Sequence, residues 1–187
     1  MSEKKRADML DRLSVEVVAT RQIGAAQRTA IIELCGAAFA QDFAPLFDLV
    51  PLTSSHLLVL LDDLMIGHAT WMTRWLEPQG QALLRTAYVD AVAIAPAYQG
   101  QGVGSLVMQQ LAARIQDYDI AALSTSRVSF YRRLGWEVWQ GPLYVRTSRG
   151  IQHTPEEIVM ILRLPRTPAD LDLTRPLSVD WRSGSVW

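Results

Sequence analysis

Residues 99–105 read Gln-Gly-Gln-Gly-Val-Gly-Ser. They follow directly on an apolar stretch, Tyr88-Val-Asp-Ala-Val-Ala-Ile-Ala95, and a turn opened by Pro96. Glycine takes φ > 0 without steric penalty and places no Cβ between backbone amides and a ligand. From Val103 to Gln116 apolar residues recur at helical spacing, with Val103, Leu106, Val107, Leu111 and Ile115 on the inner face. The first N–H groups of a helix have no intrahelical acceptor, and the macrodipole adds partial positive charge there. A strand, a glycine loop and a helix start in succession make a phosphate-binding arrangement. A P-loop needs Lys and then Ser or Thr after its last glycine; here Gly104 precedes Ser105-Leu106. A dinucleotide fingerprint needs G-x-G-x-x-G and an acid about 20 residues on. Gly100, Gly102 and Gly104 are spaced G-x-G-x-G, and Asp117 and Asp119 follow a helix rather than a second strand.

Three further positions could do chemistry. Asp90 shares a strand face with Tyr88 and Val92. A carboxylate within such an apolar strand is either a functional base or a solvated, salt-bridged group at a bulge. Tyr131 lies in a cluster with Phe130 and Trp136, as a proton donor or as packing. Asp42, between Phe39 and Phe43, either pairs with a cation or caps a helix. No metal is expected: His56, His68 and His153 lack ligand spacing, and the single cysteine, Cys35, sits in an apolar helical pattern that buries a thiol. No G-x-S-x-G elbow offers a serine nucleophile.

These positions need a scaffold, and the chain is long enough to build one. Its 187 residues, 49% of them apolar, suit one domain with a sizeable core. A net charge of −1 argues against nucleic-acid and anionic-membrane partners. The charged start, Met-Ser-Glu-Lys-Lys-Arg, lacks a signal-peptide core, and no apolar run reaches transmembrane length, so a soluble cytoplasmic protein is expected. Residues 1–13 read as a mobile lead, 14–164 as the domain and 165–187 as a proline-interrupted tail. Within the domain, Val15–Ala19 reads as a strand and Gln27–Phe39 as a helix. Leu57–Leu61 and Leu64–Met72 form a hairpin turned at Asp62-Asp63, buried on both faces. Strands over Leu83–Ala95, Ile120–Ser124, Trp136–Trp139 and Ile158–Leu164 follow, with a short helix at Val128–Leu134 closed by Gly135. This order implies an α/β (α+β) fold: a mixed, mostly antiparallel sheet flanked by helices on both faces. Trp71 and Trp75 either mark a homodimer face or pack in the core.

The Q-x-x-G-x-G loop and this element order resemble the GCN5-related N-acetyltransferases, whose loop grips the pyrophosphate of acetyl-coenzyme A. A narrower resemblance, to the aminoglycoside 2′-N-acetyltransferases, rests on four segments. They are Phe39-Ala-Gln-Asp-Phe43; Tyr88-Val-Asp-Ala-Val92; Ala122-Leu-Ser-Thr-Ser126 with Tyr131-Arg-Arg-Leu-Gly-Trp136; and Asp180-Trp-Arg-Ser-Gly-Ser-Val-Trp187. The resemblance implies direct acetyl transfer to an amine, with acetyl-coenzyme A as co-substrate and no metal. Asp90 corresponds to the remote base, acting through water, and Tyr131 to the acid that protonates the thiolate. Val92, Ala93 and Ile94 with Gln99, Gly100, Gln101, Gly102, Val103, Gly104 and Ser105 would hold the coenzyme. Asp42, Phe43, Asp90, Ser124, Ser126 and the Trp187 carboxylate would hold the aminoglycoside, although burying its indole could equally anchor Trp187.

The departures fall on the acceptor side. Ser185 replaces an acid usual in that family, the loop between Leu123 and Tyr131 is shorter, and Phe47–Leu52 lacks a Gly-Gly-Met. A less cationic aminoglycoside, kasugamycin, fits the lost charge. Glu156 and Glu157 would supply replacement charge or begin a helix after Pro155. Two alternatives share the coenzyme loop: an acetyltransferase for a polyamine, amino acid or protein N-terminus, and a non-catalytic acyl-coenzyme A-binding module.

Overall fold

The computed structural model describes residues 8–184, 186 and 187. The contact pattern divides the chain into two compact units, one running to Met72 and including Asp90–Arg114, the other made of Thr73–Val89 and Ile115–Trp187.

The first unit is built on β1 (Leu13–Ala19), β2 (Ser55–Leu61) and the start of β3 (Leu64–Pro78), paired antiparallel in that order. The β2–β3 turn at Asp62-Asp63 has φ of 48° and 68°. Two left-handed residues give the twist a two-residue hairpin needs, and aspartate tolerates that region better than most. Leu57, Leu58, Val59 and Ile66 are fully buried, as a sheet covered on both faces requires. Helix α1 (Ala25–Phe39) buries Ile31, Leu34 and Cys35, and a short α2 spans Leu46–Leu49. The end of β4 (Leu84–Ile94) leads through a 3₁₀ turn, Pro96–Tyr98, into α3 (Val103–Arg114). Helix α3 buries Val103, Val107, Met108 and Leu111. Leu106, expected on that face, is half-buried, and Met108 takes the inner position. Gly67 lets α3 come close: a Cβ there would lie 3.1 Å from Val107 Cγ2 and 3.2 Å from Val59 Cβ.

In the second unit the strand neighbours run β6-β9-β5-β4-β3-β10-β7-β8. One parallel pair is β4 with β5 (Ile120–Ser124), and α3 lies between the two in the chain, as the long connection of a parallel pair requires. Strands β9 (Val159–Arg163) and β6 (Glu137–Val138) extend it antiparallel, beside the short helix α4 (Val128–Arg132). On the other side β10 (Leu177–Asp180) pairs antiparallel with β3 and parallel with β7 (Leu143–Thr147), and β8 (Gly150–His153) closes the row. Six of the described pairings are antiparallel and two parallel, so the sheet is mixed and mostly antiparallel.

Several expectations are corrected. The sequence reading gave no strand for β7, β8 or β10, and it ended β3 too early. Glu156 and Glu157 lie in a turn and its exit rather than a helix. Trp71 is buried, which places it in the core; Trp75 is 43% exposed.

Candidate functional site

The glycine loop takes the form its composition demands. Gly100 and Gly102 have φ of 72° and 96°. An added Cβ at Gly100 would meet nothing within 4 Å, so backbone conformation alone calls for glycine there. The two glutamines turn back to brace the loop: Gln99 Nε2 donates to the Ile94 carbonyl at 3.0 Å and Gln101 Nε2 to the Ala97 carbonyl at 2.7 Å. The N–H of Leu106 donates to the Gly102 carbonyl at 3.1 Å. The amides before it, at Val103, Gly104 and Ser105, are therefore the donors a helix start presents outward. This suits a pyrophosphate, which offers several anionic acceptors at once. Upstream, the β4–β5 pairs end at Tyr88↔Ala122, well before β4 ends at Ile94. Val92 and Ile94 are half-buried and Ala93 is buried.

Asp90 is half-buried, not buried as its apolar neighbours suggested. It stands at a kink: the next residue, Ala91, has φ of 47°, and Asp90 Oδ1 accepts the Ala91 N–H at 2.8 Å. A left-handed residue within a strand is bulge geometry, so the simple alternation that put Val92 on the face of Asp90 is broken here. Behind the kink lie two buried histidines that the sequence reading had set aside. His68 Nδ1 is 2.8 Å from the Ala91 carbonyl and His56 Nδ1 is 2.9 Å from His68 Nε2. The hairpin register explains their meeting. Leu58 pairs with His68, which places His56 diagonally beside it on the same face. Burial lowers the His56 pKa to about 3, helped by His68, and the His68 pKa to about 4. Burial, with Asp90 adding to it, pushes the Cys35 thiol up to about 12, which leaves it protonated and unreactive.

Asp42 is exposed, and its Oδ1 accepts the Ala44 N–H at 2.8 Å, an Asx turn ahead of α2. Phe39 and Phe43 stack beside it with centroids 5.0 Å apart.

The second unit holds the remaining positions. Tyr131 is buried, its ring edge-on to Phe130 and Trp136 at 4.9 and 5.8 Å. Gly135 follows α4 with φ of 86°, the left-handed stop its type predicts. Ser124 Oγ donates to Glu157 Oε2 at 2.7 Å, while Ser126 is exposed in the loop beyond. Trp187 is buried, and its indole Nε1 donates to Thr154 Oγ1 at 2.8 Å. Ser185 lies outside the described residues. One residue here was missed from sequence. Arg74, 8% exposed, donates to the carbonyls of Asp180 and Val186 and packs its guanidinium 4.9 Å from the Tyr88 ring centroid. The guanidinium of Arg182 lies 5.5 Å from the same ring centroid. The available signal was position: period two puts Arg74 on the buried face with Met72 and Leu76.

Residues 19–139 match the family model of the acetyltransferase (GNAT) domain. This chain belongs to the GNAT acetyltransferases. A relative from Mycolicibacterium fortuitum, an aminoglycoside 2′-N-acetyltransferase, is 35% identical over 156 residues, 80% of each chain. Solved GNAT structures share the fold at lower identity. A GCN5-related N-acetyltransferase from Kribbella flavida has a TM-score of 0.57 at 24% identity, over 71% of this chain and 35% of its own. This GNAT chain thus spans about a third of that protein's length. ElaA from Escherichia coli has a TM-score of 0.58 at 15% identity, over 81% and 99% of the two chains. The ribosomal-protein-S18-alanine N-acetyltransferase of the same organism has 0.56 at 17%, over 85% and 99%. GNAT acetyltransferases use acetyl-coenzyme A, and this one is an acyltransferase of that type. Among the described residues no group of three or more His, Cys, Asp or Glu is arranged to hold a metal, and no helix is long and apolar enough to cross a membrane.

Proposed function

We propose that this enzyme transfers the acetyl group of acetyl-coenzyme A to the 2′-amino group of an aminoglycoside, and so confers resistance. The 35% identity to the Mycolicibacterium fortuitum enzyme across 80% of both chains carries this reading. Its chemistry needs three things: a held coenzyme, a free amine and a protonated leaving group. Amides from Gly100 to Ser105 take the pyrophosphate, and the extended backbone of Val92–Ile94 takes the amide-bearing arm that ends in the thioester. Asp90 accepts a proton from the substrate ammonium, through one water because its side chain is short. The neutral amine attacks the thioester carbon, the C–S bond breaks, and Tyr131 gives its phenolic proton to the departing sulfur. Products are the N-acetyl aminoglycoside and coenzyme A thiol, and solvent resets both side chains.

Aminoglycosides are polycations, and the acids Asp42, Asp90 and Glu157 are the acceptor-side charges in this reading, with Ser124 and Ser126 as neutral partners. The serine at position 185 removes one acid, and we assign kasugamycin as the acceptor on that ground. The reading places the enzyme in the cytoplasm with its co-substrate. A homodimer face, if built on tryptophan, uses Trp75.

Thiol release from acetyl-coenzyme A, with kasugamycin, gentamicin, tobramycin, kanamycin A, spermidine and a histone-tail peptide as acceptors, tests this. Turnover of the 2′-amino compounds but not of kanamycin A, which has a 2′-hydroxyl, is expected, with kasugamycin the best. Turnover of spermidine or the peptide alone would refute the substrate class. Asp90→Asn and Tyr131→Phe test the roles: wild-type turnover in either would remove that residue from the mechanism.

A further inference from the structure

Thr20, His56 and His68 form a buried polar row whose direction is set by one atom. The Ala91 carbonyl can only accept, so His68 Nδ1, 2.8 Å away, carries the proton. Both imidazoles are neutral, because burial lowers their pKa values far below the usual range. A neutral ring has one N–H, so His68 Nε2 is an acceptor, and His56 Nδ1 donates to it at 2.9 Å. His56 Nε2 must then accept, and the Thr20 hydroxyl lies 3.0 Å from it. That hydroxyl also donates toward the Ser54 carbonyl at 3.1 Å, so its one proton is shared between the carbonyl and the ring nitrogen. The two ring donors therefore point the same way, from His56 through His68 to Ala91, with Thr20 against the far end of the row.

Ala91 is the residue that needs such support. Its φ of 47° is disfavoured for any side chain with a Cβ. Such a conformation persists only where its surroundings over-determine it. Here the N–H goes to Asp90 Oδ1 at 2.8 Å and the carbonyl to His68 at the same distance. We propose that His68, oriented by His56 and Thr20, is a positioning residue for Asp90: it holds the kink at Ala91 whose N–H aims the carboxylate. The row is not a proton wire, since the carbonyl at its end cannot take a proton. The proposal rests on reading Asp90 as the base, and its test separates the two.

An asparagine at position 68 keeps an N–H close to where Nδ1 sits; a glutamine reaches instead toward the Nε2 position, and a leucine has neither. With gentamicin as acceptor, His68→Leu and His68→Gln are expected to lose roughly 100-fold in kcat, the scale of an ångström of misplacement. The KM for acetyl-coenzyme A stays unchanged, and His68→Asn recovers to within about 10-fold of wild type. Equal losses in all three, or a fall in Tm with kcat intact, would reduce the row to packing. Asp90→Asn with wild-type turnover would sink the base assignment instead. A measurement on the unaltered protein covers the case where variants do not fold or gentamicin is not turned over: the ¹⁵N spectrum of histidine-labelled enzyme. Both buried rings should be the Nδ1–H tautomer. An Nε2–H proton on His68 overturns the proposal whatever the kinetics show.

Discussion

Acidification between pH 7 and 5 should destabilise this protein well before its carboxylates protonate. The perturbation is proton uptake by His56 and His68. Each has an ordinary value of 6.5, and the folded state lowers them to about 3 and about 4. The sign follows from where the protons go. Below pH 6.5 the unfolded chain binds two protons that the folded chain refuses, so stability present above that value is lost as pH falls toward the folded values. Each histidine then contributes a loss of about 2 kcal/mol between pH 7 and 5, and the pair about 4 kcal/mol. Both rings are fully buried, so solvent screening does not reduce this much. Against a total stability of roughly 5–15 kcal/mol the effect is large. Asp172, held below its usual value first by the Thr174 hydroxyl and N–H, acts in a separate window below its ordinary 3.8. The assay is urea unfolding followed by tryptophan fluorescence at several pH values, on wild type and on His56→Phe. The new ring can stack on Phe47, whose centroid is 5.5 Å from that of His56. The variant should be less stable at pH 7 yet lose about 2 kcal/mol less on going to pH 5. Identical pH dependence in the two proteins would refute the argument, because it would mean that His56 is protonated or exposed in the folded state.

Other consequences are sharp enough to check. Trp187→Ala empties a buried indole site and should cost about 3–5 kcal/mol locally; the KM for the aminoglycoside should rise while that for acetyl-coenzyme A holds. Gly141→Ala would put a Cβ 2.0 Å from the Arg175 carbonyl oxygen, a backbone clash that no rotamer relieves, so little folded protein should accumulate. Gly100→Ala meets no such obstacle and should fold, at a conformational cost of about 1–2 kcal/mol, with the defect showing as a higher KM for acetyl-coenzyme A.

The parts of the fold that were legible in the sequence share one property: their pattern is local. The Asp62-Asp63 hairpin, the strand ending at Ile94, the glycine loop and α3 are each specified by residues within a dozen positions of one another. What was missed is specified at long range. Strand β10 is the four residues after Pro176; Leu177-Ser-Val-Asp180 alternates, but over too short a run to announce a strand, and its strand character comes from lying between β3 and β7. Strand β8 is exposed throughout, so no apolar face announced it. The same division runs through the site. Loop glycines declare themselves by φ, but His56 and His68 become a pair only through the β2–β3 register, and Arg74 becomes a clamp only once Asp180 and Val186 reach it.

Strand β10 also sets a timetable. Ser178 bonds the Glu77 carbonyl at 3.3 Å across 101 residues of chain. A ribosome adding about 5–20 residues per second needs roughly 5–20 s to make that stretch. Throughout that interval the β10 side of β3 is a bare edge, a template for any extended segment that drifts past. Translation speed is therefore a folding variable for this enzyme. Slower synthesis lengthens the exposure, and a chaperone that covers residues 73–78 on the nascent chain would act at the point of greatest need.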